Sequence, residues 1–290
     1  MNQSTSPLRV RSDVPFYLGM IIISGTYVLL LLAMLLADAS YMFHEDSQGK
    51  QSVEWSASHP WLAFFTDNPI VAALADDNIQ YSIALSLISC TITAILSLIV
   101  AIPVGYLLSR HEFFGKNILD AILDIPIVLP PLVVGLSLLI LFQYAPATLR
   151  EQVVYQLPAV ILAQFVVACA FAVRTMRATF DLIDTRREQV ALTLGCNQAQ
   201  AFSRVVLPEA RAGILTAGTL AWARALGEFG PLLVFAGATR GKTEVLSTTV
   251  FLELSIGNLG AAVAVSLIMI MAAAAVLIVI RTWGTNKLTL

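Results

Sequence analysis

Long apolar runs alternate with short polar segments along most of this chain, and their lengths set the first expectation. Stretches near 16–37, 79–109, 121–145, 157–180, 211–237 and 257–281 are each long enough for the ~20 residues a helix needs to cross a bilayer. Six transmembrane helices are therefore expected, and the longer ones must tilt or protrude. One polar insert breaks the pattern, TRREQVALTLGCNQAQAFSRVVLP from Thr185 to Pro208. Thr185 with Glu188 three residues on has capping-box spacing, so a helix should start there. Val190 and Leu194 share one face of it, and Gly195 stands where a left-handed stop would go. Asn197 suits the cap of a second short helix, on which Phe202, Val205 and Val206 recur at helical spacing until Pro208 ends it. Neither helix is long enough to be stable alone, so both need a surface to lie against.

Composition agrees with the pattern. Of 290 residues, 58% are hydrophobic and 12% charged, too little polar surface to cover a soluble domain. The expected fold class is an all-α polytopic membrane protein whose first partner is the lipid bilayer. Orientation follows from the basic residues. With both termini in the cytoplasm, Arg9, Arg11, Arg110, Lys116, Arg174, Arg177, Arg186, Arg187, Arg204, Arg211, Arg281 and Lys287 lie inside. Only Lys50, Arg150, Arg240 and Lys242 lie outside, and Arg224 falls within a span. Because the charges are sorted by side, the net charge of −2 says little, and the basic faces speak for topology instead of nucleic acid.

The chain then divides into a cytoplasmic lead-in (1–15), a first transmembrane helix (16–37), an acidic outer loop (38–78), a five-helix core (79–281) with a cytoplasmic insert at 184–208, and a short tail (282–290). The first run is longer than a signal-peptide core of ~7–15 residues, so it reads as a retained helix. In the outer loop Trp55, Trp61, Phe64 and Phe65 stand among acidic residues, a mixture suited to the membrane interface.

Within the spans, Pro103 should bend the second helix, and the Pro130–Pro131 pair must kink the third beside protein or a cavity, either as a static kink or as a bend beside a translocation path. Ala168 and Ala172, and then Ala217, Ala221 and Ala225, offer small faces for close packing. Arg224 and Glu228, four residues apart, can pair, which offsets the ~2.5–3.5 kcal/mol that either charge alone would cost at mid-membrane. A static or gating salt bridge is the preferred role, since a cation fixed to grip an anion would slow its release. Cys90, Cys169 and Cys196 are too scattered for a disulfide or metal set. His44, His59 and His111 lie in loops, so neither a catalytic constellation nor a metal site is expected. The run from Ala236 to Thr243 fits a relaxed phosphate-loop pattern, but it follows a membrane helix where such a loop needs a strand.

The segment EQVALTLGCNQAQAFSRVVLP resembles the cytoplasmic EAA loop of ABC-importer permeases, with Glu188, Ala191, Gly195, Leu207 and Pro208 on the pattern and Val190 departing from its usual alanine. RHEFFGK through IVLPPLVVG, and ARALGEFG in the fifth span, are similar to the molybdate and sulfate branch of those permeases. The likeness covers roughly residues 70–281. It implies a type I ABC importer permease fold and a non-enzymatic transport subunit that forms the translocation pathway with a second copy of itself. It further implies a dimer of ABC ATPase subunits that binds ATP and Mg, this chain holding no cofactor, and an extracytoplasmic oxyanion-binding protein. The cargo implied is molybdate, or tungstate or sulfate. The insert, with Cys196 at its tip, would couple ATP hydrolysis to the pathway. The alternative is an ion-coupled secondary transporter working through Arg224 and Glu228, which leaves the insert without a task.

Overall fold

The computed structural model describes residues 14–45 and 73–285. The lead-in up to residue 13, the outer-loop aromatics Trp55, Trp61, Phe64 and Phe65, and the tail beyond 285 lie outside the described residues. Every regular element among the described residues is helical. Helix α1, Val14–Glu45, belongs to a unit of its own and runs beyond the expected 16–37 at both ends. Leu18, Ile21, Ile23, Leu29 and Leu36, spread around its circumference, are all exposed, as suits a helix hydrophobic all round.

The second unit is built on three helices packed against one another, α2 (Asp77–Arg110), α6 (Leu157–Leu182) and α9 (Arg211–Leu226). Their contacts use small residues. Ala168 and Ala172 on α6 and Ala217, Ala221 and Ala225 on α9 are buried, which lets the backbones approach where longer side chains would hold them apart. Helix α2 continues through Pro103, and its 34 residues span about 50 Å at ~1.5 Å each, more than the hydrocarbon thickness. It starts on Asp76, whose side chain accepts from the Asn78 amide at 2.7 Å.

The Pro130–Pro131 pair does more than kink a span. Leu129 and Pro130 each precede a proline and are driven into extended backbone, at ψ 140° and 132°. Two extended residues in succession end one helix and begin another, so the expected third span becomes α3 (Lys116–Val128) and α4 (Pro131–Gln143), bent by 112°. A short α5 (Ala147–Val153) leads into α6. The expected fifth span, 211–237, is also divided. Helix α9 stops at Leu226 under Gly227, and after an irregular turn a π-helical segment, Leu232–Ala236, completes the passage. Helices α10 (Leu246–Ser255) and α11 (Leu259–Thr285) follow and pack together. Among the described residues, stretches within α1, α2, α6 and α11 are long and apolar enough to cross a membrane, and the bent α3–α4 pair makes a fifth if taken as one span. The remaining expected span, the fifth, is thus the divided one, whose α9 at 16 residues (~24 Å) is too short to cross alone.

The two breaks lie against each other. A Cβ on Gly135 would sit 2.8 Å from Pro231 Cα, and one on Gly230 would sit 2.7 Å from Pro131 Cβ. Around this crossing Leu232, Phe235 and Ala236 join Val153, Val160 and Ala163 in a buried cluster, with Phe142 edging onto Phe235 at 5.3 Å. Gly135→Ala should therefore lower stability by about 1–3 kcal/mol through overpacking. Gly227→Ala, at φ −83° with its nearest neighbour 3.8 Å away, should change it by less than about 0.5 kcal/mol. Thermal unfolding of the two detergent-purified variants tests this, and equal shifts would show that the crossing is not tight.

Candidate functional site

The polar insert folds as two short helices joined at Gly195. Helix α7 runs Thr185–Thr193 and α8 runs Gln198–Ala201. Gly195 has φ +93°; its amide donates to Leu192 O at 3.0 Å and the Cys196 amide to Ala191 O at 3.1 Å, the paired bonds of a Schellman stop. Asn197 caps α8 in a reciprocal box with Gln200, at 2.8 and 3.0 Å. The start of α7 differs from expectation, because the cap is Asp184, which accepts from the Arg186 amide at 2.9 Å, and Glu188 takes no part in it. Pro208 does not end the second helix either. A proline there would collide with the Arg204 carbonyl of a regular α-helix. The backbone instead widens into a π turn over Phe202–Val206, and a helical turn Leu207–Glu209 carries Pro208 onward to α9.

Freed from capping, the Glu188 carboxylate turns into the protein. It is 7% exposed, accepts a hydrogen bond from Tyr106 Oη, and has Arg110 Nε 3.5 Å from its other oxygen. Arg110 Nη2 also donates to the Ile183 carbonyl at 2.8 Å. Tyr106 and Arg110 are one turn apart at the end of α2, so a single carboxylate fastens the insert to that helix end. Rings close the space beneath: Tyr106 lies 4.6 Å from Phe202 and 5.6 Å from Phe180, centroid to centroid. Ala191 and Val206 are buried with them.

The shared apolar face of the first short helix points outward. Val190 is 56% exposed and Leu194 80%, so of the apolar positions singled out only Val206 is fully buried, with Phe202 and Val205 partly so. Helix α7 turns its glutamate and alanine to its own protein and its valine and leucine outward, the reverse of ordinary amphipathic packing. Cys196 is half-buried beside Gly195. Arg187 pairs with Glu209 along the outer edge.

The other singled-out groups lie elsewhere. Arg224 Nη1 is 2.6 Å from Glu228 Oε2, with the Arg224 guanidinium 5.8 Å from the centre of the Phe171 ring. Glu228 is 1% exposed, and its backbone carbonyl accepts from Ser247 Oγ at 2.6 Å. Pro130 and Pro131 sit at the crossing of the two breaks, apart from the insert. Arg240 is not a free loop charge, since it pairs with Glu253, which also accepts from Asn258 at 3.0 Å. The Ala236–Thr243 run follows a π turn, and the amides of Lys242, Thr243 and Glu244 all bond to the Thr239 carbonyl, which leaves none of the three to hold a phosphate.

A buried polar stripe on α2 escaped the reading of the apolar pattern. Ser82, Ser86, Ser89, Thr93 and Ser97 recur at helical spacing and are all buried. Ser86 Oγ accepts from the Leu246 amide at 2.8 Å and so caps α10, Thr249 bonds to Ser82 at 3.1 Å, and Thr93 bonds to Gln164 of α6 at 3.2 Å. The spacing of 4, 3, 4 and 4 was its signal. Nearby Glu244 is buried, which pushes its carboxyl above the usual carboxylate range, against the pull of a Thr249 hydrogen bond and of Arg240. Among the described residues no group of three or more His, Cys, Asp or Glu is placed to hold a metal ion.

Comparison with known proteins places these features in context. Residues 97–286 match the family model described as binding-protein-dependent transport system inner membrane component. The chain is 34% identical over 182 residues to a molybdate/tungstate transport system permease protein of Pyrococcus abyssi, covering 61% of this chain and 71% of that one. It is 29% identical over 264 residues to a sulfate transport system permease protein of Salmonella typhimurium, covering 89% and 90%. Among solved structures it is similar in fold to a chain of a bacterial alginate ABC transporter in complex with an alginate pentasaccharide-bound periplasmic protein. There the TM-score is 0.60 at 15% identity, over 90% of this chain and 94% of that one.

The clamp on the insert yields a contrast that stability measurements can read. Glu188→Ala takes the acceptor from Tyr106 Oη and the paired charge from Arg110, and should destabilise the chain by about 1–3 kcal/mol. Arg187→Ala breaks a pair whose arginine is largely exposed and should change stability by less than about 1 kcal/mol. Thermal unfolding in detergent distinguishes them, and a silent Glu188→Ala would mean that the insert is held by its aromatic contacts alone.

Proposed function

Because this chain belongs to the family of binding-protein-dependent transport system inner membrane components, we propose that it is the permease subunit of an ATP-driven importer for a tetrahedral oxyanion, molybdate, tungstate or sulfate. The observation that carries the mechanism is the insert. Its carboxylate is buried against the end of α2 while Val190 and Leu194 stand uncovered. An apolar face on a helix this short, held out from the protein, suits insertion into a groove on a partner. The partner is an ABC ATPase subunit of a dimer that binds ATP and Mg. A push on α7 and α8 passes through Glu188 to Tyr106 and Arg110, and through Phe202 to Phe180, so it reaches α2 and α6 together.

Two copies of the permease form the pathway, and an extracytoplasmic oxyanion-binding protein delivers the substrate from outside. The insert faces the cytoplasm with both termini, in keeping with the excess of Lys and Arg on that side. Glu188, Ala191, Gly195, Cys196, Leu207 and Pro208 make up the coupling element. Arg224 and Glu228 act as a bundle salt bridge that fixes the end of α9, with Pro130 and Pro131 shaping the backbone beside the pathway. The relatives named for molybdate, tungstate and sulfate support the oxyanion class. Family membership leaves the ion-coupled alternative without a supporting observation.

Cys196 supplies a native probe once Cys90 and Cys169 are replaced. In inside-out membrane vesicles it should react with a water-soluble maleimide, and co-assembly with the ATPase subunit should protect it. Gly195→Val, which forces a branched side chain into left-handed backbone, should abolish ATP-dependent molybdate uptake while leaving the chain in the membrane. Equal labelling with and without the ATPase, together with normal uptake by the valine variant, would overturn the coupling role.

A further inference from the structure

Helix α3 is built inside out. Ile118, Ile122, Ile125 and Val128 are exposed, and none of its thirteen residues is fully buried. Its polar positions Asp120 and Asp124, one turn apart, meet the protein beside half-buried Leu123 and Ile127. Arg177 of α6 donates to Asp120, and Arg174 Nη2 lies 3.4 Å from Asp124 Oδ2. Arg177 Nε is also 3.9 Å from Asp181 on its own helix. A cavity of about 260 Å³ opens among these five charged side chains. Across the Leu129–Pro130 break, by contrast, α4 is wedged at Gly135 against Pro231 closer than a Cβ would allow.

The two halves of this broken span are thus held by different forces. Shape holds α4, and charge holds α3. Swinging α3 outward uncovers little apolar surface, chiefly Leu123 of the arm with Ala170 and Val173 of α6, because Ile118, Ile122, Ile125 and Val128 already point away from the bundle and belong in lipid. The larger change is in the set of ion pairs, which are partly exposed and so open to screening by salt. The same two turns of α6 also support the insert. Phe180 lies in the ring cluster under Phe202, and a Cβ on Gly105 of α2 would sit 2.9 Å from the Arg177 amide.

We propose that α3 is a movable arm, hinged at Leu129–Pro130 and latched to α6 by the Arg174–Asp124 and Arg177–Asp120 pairs, so that a shift in the last turns of α6 releases the arm and opens the cavity at that end. This rests on the membrane-spanning reading of α6 and on neither the oxyanion nor the ATPase partner, so its failure would leave the transport assignment untouched.

The full chain in lipid nanodiscs, with Cys90, Cys169 and Cys196 replaced, would carry spin labels at Ile118→Cys and Leu182→Cys, both outward-facing. Electron spin resonance then reads the distance between arm and α6. At low salt one narrow distance is expected. Near 1 M salt, where screening acts over ~3 Å, a longer component should grow at least threefold, and the same component should appear in Asp120→Asn/Asp124→Asn at low salt. Exchanging the charges as Asp120→Arg/Arg177→Asp should bring back the short distance. An unchanged distance in high salt would mean that packing holds the arm and would overturn the latch, even if the asparagine variant is not recovered from membranes. A charge exchange that leaves the arm released would overturn it as well.

Discussion

Backbone that leaves its helix inside a bilayer has no water to bond, and this chain does so twice. The solution is to set one break against the other. The turn around Pro130–Pro131 and the turn around Gly227–Pro231 interlock through two glycines, each occupying space that any Cβ would need. Amides past the breaks find partners at once, Val133 on the Pro130 carbonyl at 2.9 Å and Leu233 on the Phe229 carbonyl at 2.9 Å. The π turn that follows then packs Leu232 and Phe235 into the start of α6. Irregular backbone is tolerated here because its amides bond locally and each turn covers the inner side of the other, while Pro130, Pro131 and Leu132 keep an exposed outer side.

The insert applies the same economy of polar groups at the other end of the bundle. One carboxylate is kept from water by a phenol and a guanidinium on α2, and the rest of α7 is left free to present its apolar side outward. A buried charge with two partners is a rigid attachment, while an exposed valine and leucine are an invitation to another surface. Together they describe an element fixed on one side and uncovered on the other.

Much of this was legible in the residues. Apolar run lengths gave the all-α membrane class, the Schellman glycine and the Asn197 cap were readable from local chemistry, and the Arg224–Glu228 pair followed from helical spacing. Orientation within the insert was not. Helical spacing puts Val190 and Leu194 on one face without saying what that face meets, and Tyr106 and Arg110, some eighty residues away, decide it by drawing Glu188 inward. A proline pair announces a kink, but the 112° turn reflects two successive residues forced extended and a glycine elsewhere able to receive the corner. The serine stripe on α2 went unread because hydropathy averages conceal isolated hydroxyls in an apolar run.

That stripe bears on the order in which the chain assembles. Beside the local bond from the Val245 amide to Thr248 at 2.9 Å, the first amide of α10 is held by Ser86, 160 residues earlier in the sequence, so a ten-residue helix that cannot persist alone leans on one made long before it. The waiting serines are not idle donors. Ser82 Oγ bonds back to Asn78 O at 2.9 Å and Ser86 Oγ to Ser82 O at 2.7 Å, which leaves their lone pairs available without leaving a hydrogen unsatisfied. Helix α2 can therefore rest in lipid during synthesis as an ordinary apolar span. The lone pair on Ser86 is then taken up by the Leu246 amide, which joins two distant parts of the sequence through one hydroxyl.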